Sequence, residues 1–367
     1  MKLRYKIING FLLLVVVALG ALAIVLDYEA ACPPALGVES GATTMQAVVY
    51  RCYGSPEVMQ LENVEKPVAS GNQLLVKVQA AAVNPLDWHY LRGSPVIMRL
   101  GTGIGAPEIT RLGVDFAGTV EAVGADVTRF KPGDAVFGGR TGAFAEYLTV
   151  HEDRAVVHKP VNVGFDEAAA VPIAAITALQ ALRDRGQLKA GQKVLINGAS
   201  GGVGTYAVQI AKVLGAEVTG VCSTRNVALV QSLGADQVID YTKENFTDGA
   251  VQYDLIIDNV GNHPLLKLRK AMTDNGIVVM VGGPGGRFIG PLMYPLKGIL
   301  LSPFVSQDFL PFLAELKQAD LEYLGELMTT GLMKSVIDRS YSLSEVADAI
   351  RYSEEGRARG KIIVTVE

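Results

Sequence analysis

The segment Ile196-Asn-Gly-Ala-Ser-Gly-Gly-Val-Gly204 constrains the fold of this chain more than any other. It follows the apolar run Lys193-Val-Leu-Ile196 and opens an apolar-periodic segment from Val203 to Leu214. That order is strand, glycine turn, helix. In the pattern G-x-G-x-x-G the first position is held by Ala199, the second by Gly201 and the third by Gly204. The middle glycine lets backbone approach a pyrophosphate, and the last lets helix and strand pack closely. The start of the helix adds unpaired N–H groups and a positive dipole end. Such a turn alone is also an ordinary strand-to-helix connection. Here Glu217 to Cys222 reads as the next strand, followed by a polar turn and another helix. The complete unit points to dinucleotide binding by Ala199, Ser200, Gly201, Gly202, Val203 and Gly204.

The end of that second strand indicates which dinucleotide. NAD sites place an Asp or Glu about 20 residues past the glycines, on the ribose 2′-hydroxyl. Here the sequence is Cys222-Ser-Thr-Arg-Asn226, with no carboxylate. Ser223 and Thr224 can donate hydrogen bonds, and Arg225 can pair with a 2′-phosphate through its planar fork. NADPH is the expected cofactor. The alternative for Arg225 is a solvated turn residue.

The chain has 367 residues, room for two domains beyond any leader, and a net charge of −4. No long basic run follows residue 6, so nucleic acid binding has no electrostatic support. The three cysteines, Cys32, Cys52 and Cys222, show no Cys-x-x-Cys spacing. Neither a zinc knuckle nor a disulfide framework is expected, and Cys52 and Cys222 read as buried small hydrophobes. Lys2, Arg4 and Lys6 precede the apolar run Phe11 to Leu26. Counted from Ile7 the run is long enough to cross a bilayer core of about 30 Å. Residues 1–31 are therefore expected to form one N-terminal hydrophobic helix acting as a single-pass membrane anchor. A signal segment, with export after cleavage, is the alternative. Basic residues before the run and Asp27 and Glu29 after it place the body outside the cytoplasm. A cytoplasmic cofactor argues for the opposite side. Residues 32–44, with their prolines and glycines, read as a linker.

The body begins with short strands: Gln46 to Tyr50, Gln73 to Gln79, Arg111 to Asp115, Gly118 to Gly124 and Asp134 to Phe137. From Phe165 the pattern changes. Phe165 to Arg185 reads as helix, and strands follow at Val194–Asn197, Glu217–Cys222, Gln237–Asp240, Leu255–Asp258 and Ile277–Val281. Strands alternating with helices make a doubly wound parallel sheet. The last strand, Lys361 to Val366, has no local partner and is expected to return to the β-rich part. The fold class is α/β.

Residues 45 to 367 resemble a medium-chain dehydrogenase/reductase of the zinc-free quinone-oxidoreductase branch. The resemblance rests on Tyr53-Gly-Ser-Pro-Glu-Val58, Val83-Asn-Pro-Leu-Asp87, Gly113-Val-Asp-Phe-Ala-Gly118, Phe130-Lys-Pro-Gly-Asp134, Gly142-Ala-Phe-Ala-Glu-Tyr147, Ala168-Ala-Ala-Val-Pro172, the glycine turn and Gly356-Arg-Ala-Arg-Gly-Lys361. It implies a GroES-like catalytic domain over 45–165, a Rossmann NADP-binding domain over 166–311, and a return to the catalytic domain over 312–367. Zinc-dependent members carry a Cys where this chain has Asn84 and a His-Glu pair where it has Val114-Asp115, so no metal is expected. The implied reaction is hydride transfer from NADPH to a quinone or an α,β-unsaturated carbonyl. Asn84 is the expected orienting amide beside the nicotinamide. Tyr90 or His89 is the expected proton donor, oriented by Asp87, with water as another source. Asp87 also reads as a helix cap and Tyr90 as packing. Thr177, Tyr241, Val260 and Gly282 match further cofactor contacts of the family.

The stretch from Gly282 to Pro311 is long and apolar, suited to a hydrophobic substrate, a dimer edge or a membrane. The expected partner is a small hydrophobic carbonyl or quinone, and the family leaves a homodimer open. Two other functions stay open: a non-catalytic NADPH-binding scaffold and a zinc-independent alcohol dehydrogenase.

Overall fold

The computed structural model describes residues 14, 17, 18, 20–35, 37–283, 286–288 and 290–366. Val194, Leu195 and Ile196 favour a pleated, buried strand, and only the first residue of Lys193–Asn197 is exposed. This strand lies inside a six-stranded parallel sheet. The spatial order is Gln237–Asp240, Glu217–Cys222, Lys193–Asn197, Tyr253–Asp258, Met272–Met280 and Asp308–Pro311. Counted along the chain, that is the 3-2-1-4-5-6 order of a doubly wound sheet. The order reverses between Lys193–Asn197 and Tyr253–Asp258, and the carboxyl ends of these strands frame a crevice. Helix Gly202–Val213 buries Tyr206, Ala207, Val208, Ile210 and Ala211 in the core it shares with helix Pro172–Gln180.

A second sheet has seven strands. Its longest, Gln73–Val83, pairs antiparallel with Asp115–Val123 along one edge. Along the other edge it pairs with Tyr147–His151 over its first half and with Lys361–Thr365 over Ala80 to Val83. The final strand does return to this domain, with Ile337–Ser342 parallel beside it. Leu74, Val76, Phe116, Val136, Phe144 and Val364 fill a core of their own. Each such side chain contributes roughly 1.5–3 kcal/mol on burial.

Several expectations are corrected. Residues 165–185 are not one helix. They divide into Phe165–Ala169, Pro172–Gln180, where Pro172 opens a new first turn, and the π-helical turn Ala181–Arg185. The apolar stretch from 282 to 311 contains regular structure that its sequence did not indicate: Gly290–Leu301 is helical and Asp308–Pro311 is the sixth strand of the parallel sheet. The expectation of no disulfide is overturned as well, because Cys32 is bonded to Cys52 with Cα atoms 4.9 Å apart. Spacing carries no signal for this bond, which depends on residues 26–32 folding back onto the β domain. The Ala30 N–H donates to the Gly105 carbonyl at 2.8 Å. Buried Arg99 donates to the carbonyls of Leu26 and Tyr28 and to the Glu29 carboxylate. Asp27 accepts both arms of Arg287. The expected linker is thus pinned at its start.

Residues 1–13, 15, 16 and 19 of the expected N-terminal anchor fall outside the described residues. Residues 20–27 are helical, with Leu22, Ile24 and Val25 exposed. Among the described residues no helix is long and apolar enough to cross a membrane.

Candidate active site

The glycine turn is built differently from its expected pattern at one position. Gly198, the residue before Ala199, makes the reversal with φ +79°, a conformation in which a Cβ is strained. A Cβ on Gly204 would stand 2.1 Å from the Gly198 carbonyl oxygen and 2.7 Å from the Ala199 Cα. Only glycine lets strand and helix meet there. Gly201 is the N-cap of helix Gly202–Val213, and Gly202 faces Lys361, whose Cδ would lie 3.3 Å from an added Cβ. Ala199 and Ser200 are buried and Val203 is half-buried.

Two asparagines that sequence reasoning passed over furnish the crevice. Asn226 donates to the Ser200 hydroxyl oxygen at 2.9 Å and to that of Ser223 at 3.3 Å. Its own Oδ1 is buried without a partner, as is the Oδ1 of Asn259. An orphaned buried acceptor costs about 1–3 kcal/mol. These two flank the carboxyl ends of Glu217–Cys222 and Tyr253–Asp258. Acceptors waiting for donors, beside a glycine turn with no Cβ in the way, fit a dinucleotide with hydroxyl-bearing riboses.

The remaining expected cofactor residues are placed as follows. Ser223 is extended and caps the short helix Thr224–Asn226. The Thr224 hydroxyl proton is committed, donated to Asp240 at 2.6 Å. Arg225 is exposed and donates to the Arg357 carbonyl at 2.8 Å. Val260 follows the end of Tyr253–Asp258, and an added Cβ on Gly282 would press to 2.1 Å of the Asn259 carbonyl. Ala199 to Gly204, Ser223, Val260 and Gly282 therefore share the carboxyl edge of one sheet. Tyr241 lies outermost, 58% exposed. Thr177 is buried, with its hydroxyl donating back to the Ile173 carbonyl within the helix at 2.7 Å.

A buried polar knot lies beside the glycine turn. Asn84 caps helix Pro85–Arg92, and its N–H donates to Asp87 at 2.8 Å. The Asn84 amide donates to Asp115 Oδ2 at 3.0 Å and to the Ala82 carbonyl at 3.3 Å, and its Oδ1 accepts from Lys361 Nζ at 2.6 Å. Lys361 also donates to Asp115 Oδ2 at 3.2 Å. The other Asp115 oxygen accepts from the Ile173 N–H at 2.9 Å, at the start of helix Pro172–Gln180. Asn84, Asp115 and Lys361 are each no more than 3% exposed. Burial pushes the Asp115 carboxyl up, against the pull of Lys361 and Asn84. Both ends of the Asn84 amide, the expected orienting group, are occupied by these partners. In the sequence Lys361 stood out only as the end of a family motif and the start of the last strand.

Asp87 is fully buried and accepts from Gly113 as well as Asn84. Burial pushes its carboxyl up to about 7. Asp87, Tyr90, Leu112 and Thr141 line a small pocket that opens beside the knot. His89 stacks on Trp88 and donates from Nδ1 to the Ser94 carbonyl at 2.6 Å. Burial lowers its pKa, so the ring is neutral at pH 7.

The donor set does not fit zinc. At the positions where zinc-dependent relatives hold their metal, Val114 offers no lone pair. The Lys361 ammonium, already on Asn84 and Asp115, would repel a dication. Among the described residues no group of three His, Cys, Asp or Glu side chains is arranged to hold a metal.

Residues 70–161 match the alcohol dehydrogenase GroES-like domain, and residues 233–364 match the zinc-binding dehydrogenase domain. The chain is 37% identical over 340 residues to a chloroplast envelope quinone oxidoreductase homolog from Arabidopsis thaliana, covering 87% of this chain and 98% of that one. It is 34% identical over 335 residues to an NADPH-dependent alkenal/one oxidoreductase of the same plant, covering 87% and 79%. A solved quinone oxidoreductase from Coxiella burnetii superposes with a TM-score of 0.78 at 30% identity, covering 89% of this chain and all of that one. Motifs, strand order and these likenesses agree: the chain belongs to the medium-chain dehydrogenases/reductases, in their quinone-oxidoreductase branch.

Proposed function

We propose that the protein is an NADPH-dependent, zinc-free reductase of quinones and α,β-unsaturated carbonyls. The observation that carries this reading is the pair of orphaned acceptors, Asn226 Oδ1 and Asn259 Oδ1, beside a glycine turn that a Cβ would close. Bound there, NADPH supplies a hydride to the electron-poor carbon. The protein's part is to hold and orient. The start of helix Gly202–Val213 takes the pyrophosphate. Asn226 and Asn259 accept from ribose or amide donors. Ser223 and Arg225 receive the 2′-phosphate, Arg225 giving up a single hydrogen bond to a carbonyl to do so. Thr177, Val260 and Gly282 bound the nicotinamide side and Tyr241 the adenine side.

Asn84, Asp87 and Asp115 are positioning residues in this reading. They fix helix Pro85–Arg92 and thereby the Tyr90 ring at the pocket wall. Tyr90 is the donor to the oxygen that gains charge, and water supplies the proton at carbon. The domain limits 45–165, 166–311 and 312–367 belong to the same proposal, as does residues 1–31 anchoring the protein to a membrane. The printed names of the two plant relatives, one a quinone and one an alkenal/one oxidoreductase, support the substrate class.

The test follows NADPH and NADH consumption with an ortho-quinone and a short enal. Turnover with NADPH preferred is the expected result. Tight NADPH binding without turnover on either acceptor would replace the enzyme reading with a non-catalytic one.

A further inference from the structure

Two arginines stand together beside the pocket without counter-charges among the described residues. Arg111 precedes the extended Leu112-Gly113-Val114 segment, and Arg140 follows strand Ala135–Gly139. The backbone holds them side by side. The Arg140 N–H donates to the Val114 carbonyl at 2.7 Å, and the N–H groups of Gly142 and Ala143 donate to Gly113 at 2.8 and 3.1 Å. Gly142, at φ +99°, folds this turn back over the base of Arg111, where an added Cβ would lie 3.9 Å from the Arg111 Cβ. Both arginines line a depression with Thr141, Gly142 and Thr149. Thr141 also lines the pocket that contains Asp87 and Tyr90, so the two spaces share a wall.

Among the described residues neither guanidinium takes part in an ion pair. Arg111 is half-buried, and burial together with the like charge of Arg140 disfavours its charged form. Elsewhere in the molecule buried or half-buried arginines are matched: Arg51 with Glu62, Arg92 with Glu354, Arg99 with Glu29. A partly desolvated guanidinium beside a second one is unfavourable unless an anion joins them. Two forks on adjacent backbone suit a group with several oxygens, bound through paired N–H donors.

We propose that Arg111 and Arg140 form an oxyanion subsite that receives a carboxylate or phosphate carried by the substrate, at the end remote from the carbon that is reduced. This rests on the reductase reading above and narrows its substrate class to enones or quinones with an acidic tail. The reaction is unchanged: a hydride from bound NADPH would add to the β-carbon of an enone with a solvent proton going to its α-carbon, or hydride and proton would convert a quinone to its hydroquinone, and the anionic group is untouched.

The test compares a medium-chain 2-enal bearing a terminal carboxylate with its methyl ester, at low ionic strength, in wild type and in the Arg111→Ala/Arg140→Ala double variant. Inorganic phosphate serves as the free-anion probe. For wild type, kcat/KM for the carboxylate is expected to exceed that for the ester by about tenfold, mostly through KM, with salt reducing the difference. The double variant should lose the preference and keep its kcat/KM for the ester within about twofold. Phosphate should inhibit turnover of the carboxylate, and of the ester only weakly. Equal kcat/KM values for the two substrates in wild type, or a preference that survives the double substitution, overturn the proposal. Phosphate protection against thermal unfolding in wild type alone, with no carboxylate preference, would assign the subsite to a free anion and overturn its role in substrate binding. Absence of turnover with both the carboxylate and the ester overturns the reductase reading instead, and phosphate protection lost in the double variant would still report the anion site.

Discussion

Replacing Lys361 by Met removes the cation from the polar knot. Lys361 Nζ lies 2.6 Å from Asn84 Oδ1 and 3.2 Å from Asp115 Oδ2, and the two charged side chains are 3% and 0% exposed. Met fills a similar volume but leaves the Asp115 charge uncompensated. Breaking a buried pair from one side costs about 3–5 kcal/mol. Asp115 keeps the donors Asn84 and Ile173, which places the expected loss toward the lower end, about 3 kcal/mol. The loss must depend on pH. With the ammonium gone, the folded-state pKa of Asp115 rises further above its unfolded value, so the folded state alone holds the proton between the two. Stability of the variant therefore falls as pH rises through that window, and Lys361→Met loses more at pH 8 than at pH 5. Asp115→Asn in the same background should recover most of the loss. Urea unfolding of wild type, both single variants and the double variant at the two pH values measures the coupling. A loss below about 1 kcal/mol at pH 8, or one unchanged by Asp115→Asn, refutes the reasoning.

Other outcomes follow from separate features. Gly204→Ala forces a methyl group to within 2.1 Å of the Gly198 carbonyl and should raise the dissociation constant for NADPH at least tenfold, read by fluorescence titration. Arg225→Glu should raise KM for NADPH by about tenfold or more and leave KM for NADH nearly unchanged; equal effects on both would remove Arg225 from the 2′-phosphate site. Cys222 is buried, and burial pushes its thiol up to about 11. It should resist alkylation at pH 8 in the native protein and react fully in urea. Peptide mapping without reductant should recover Cys32 and Cys52 in one cross-linked peptide, and with reductant as two.

The glycine turn, its flanking strand and its helix were legible because all their determinants are local: apolar spacing, glycine positions and a polar turn. The return of Lys361–Thr365 to the β domain was legible for a different reason, since an apolar strand without a neighbour must find one elsewhere. What escaped the sequence depends on distant partners. Lys361 meets Asn84 across 277 positions, and nothing near either residue announces the other. The Cys32–Cys52 bond needs the fold-back held by Arg99, a buried arginine whose acceptors are mostly backbone carbonyls. Thr224 read as a ligand donor until Asp240, on the neighbouring strand, claimed its hydroxyl. The part Gly198 plays in the turn was not legible, because only the backbone angle reveals it.

The pairing of Ala80–Val83 with Ile362–Thr365 also bears on how the chain is made. A ribosome delivers the β domain first, and its longest strand then carries an open edge along Ala80–Val83 while the whole nucleotide-binding domain is synthesised. Open edges recruit other strands. Chaperone demand during synthesis should therefore concentrate on this edge, and it should end abruptly once residue 365 clears the exit tunnel.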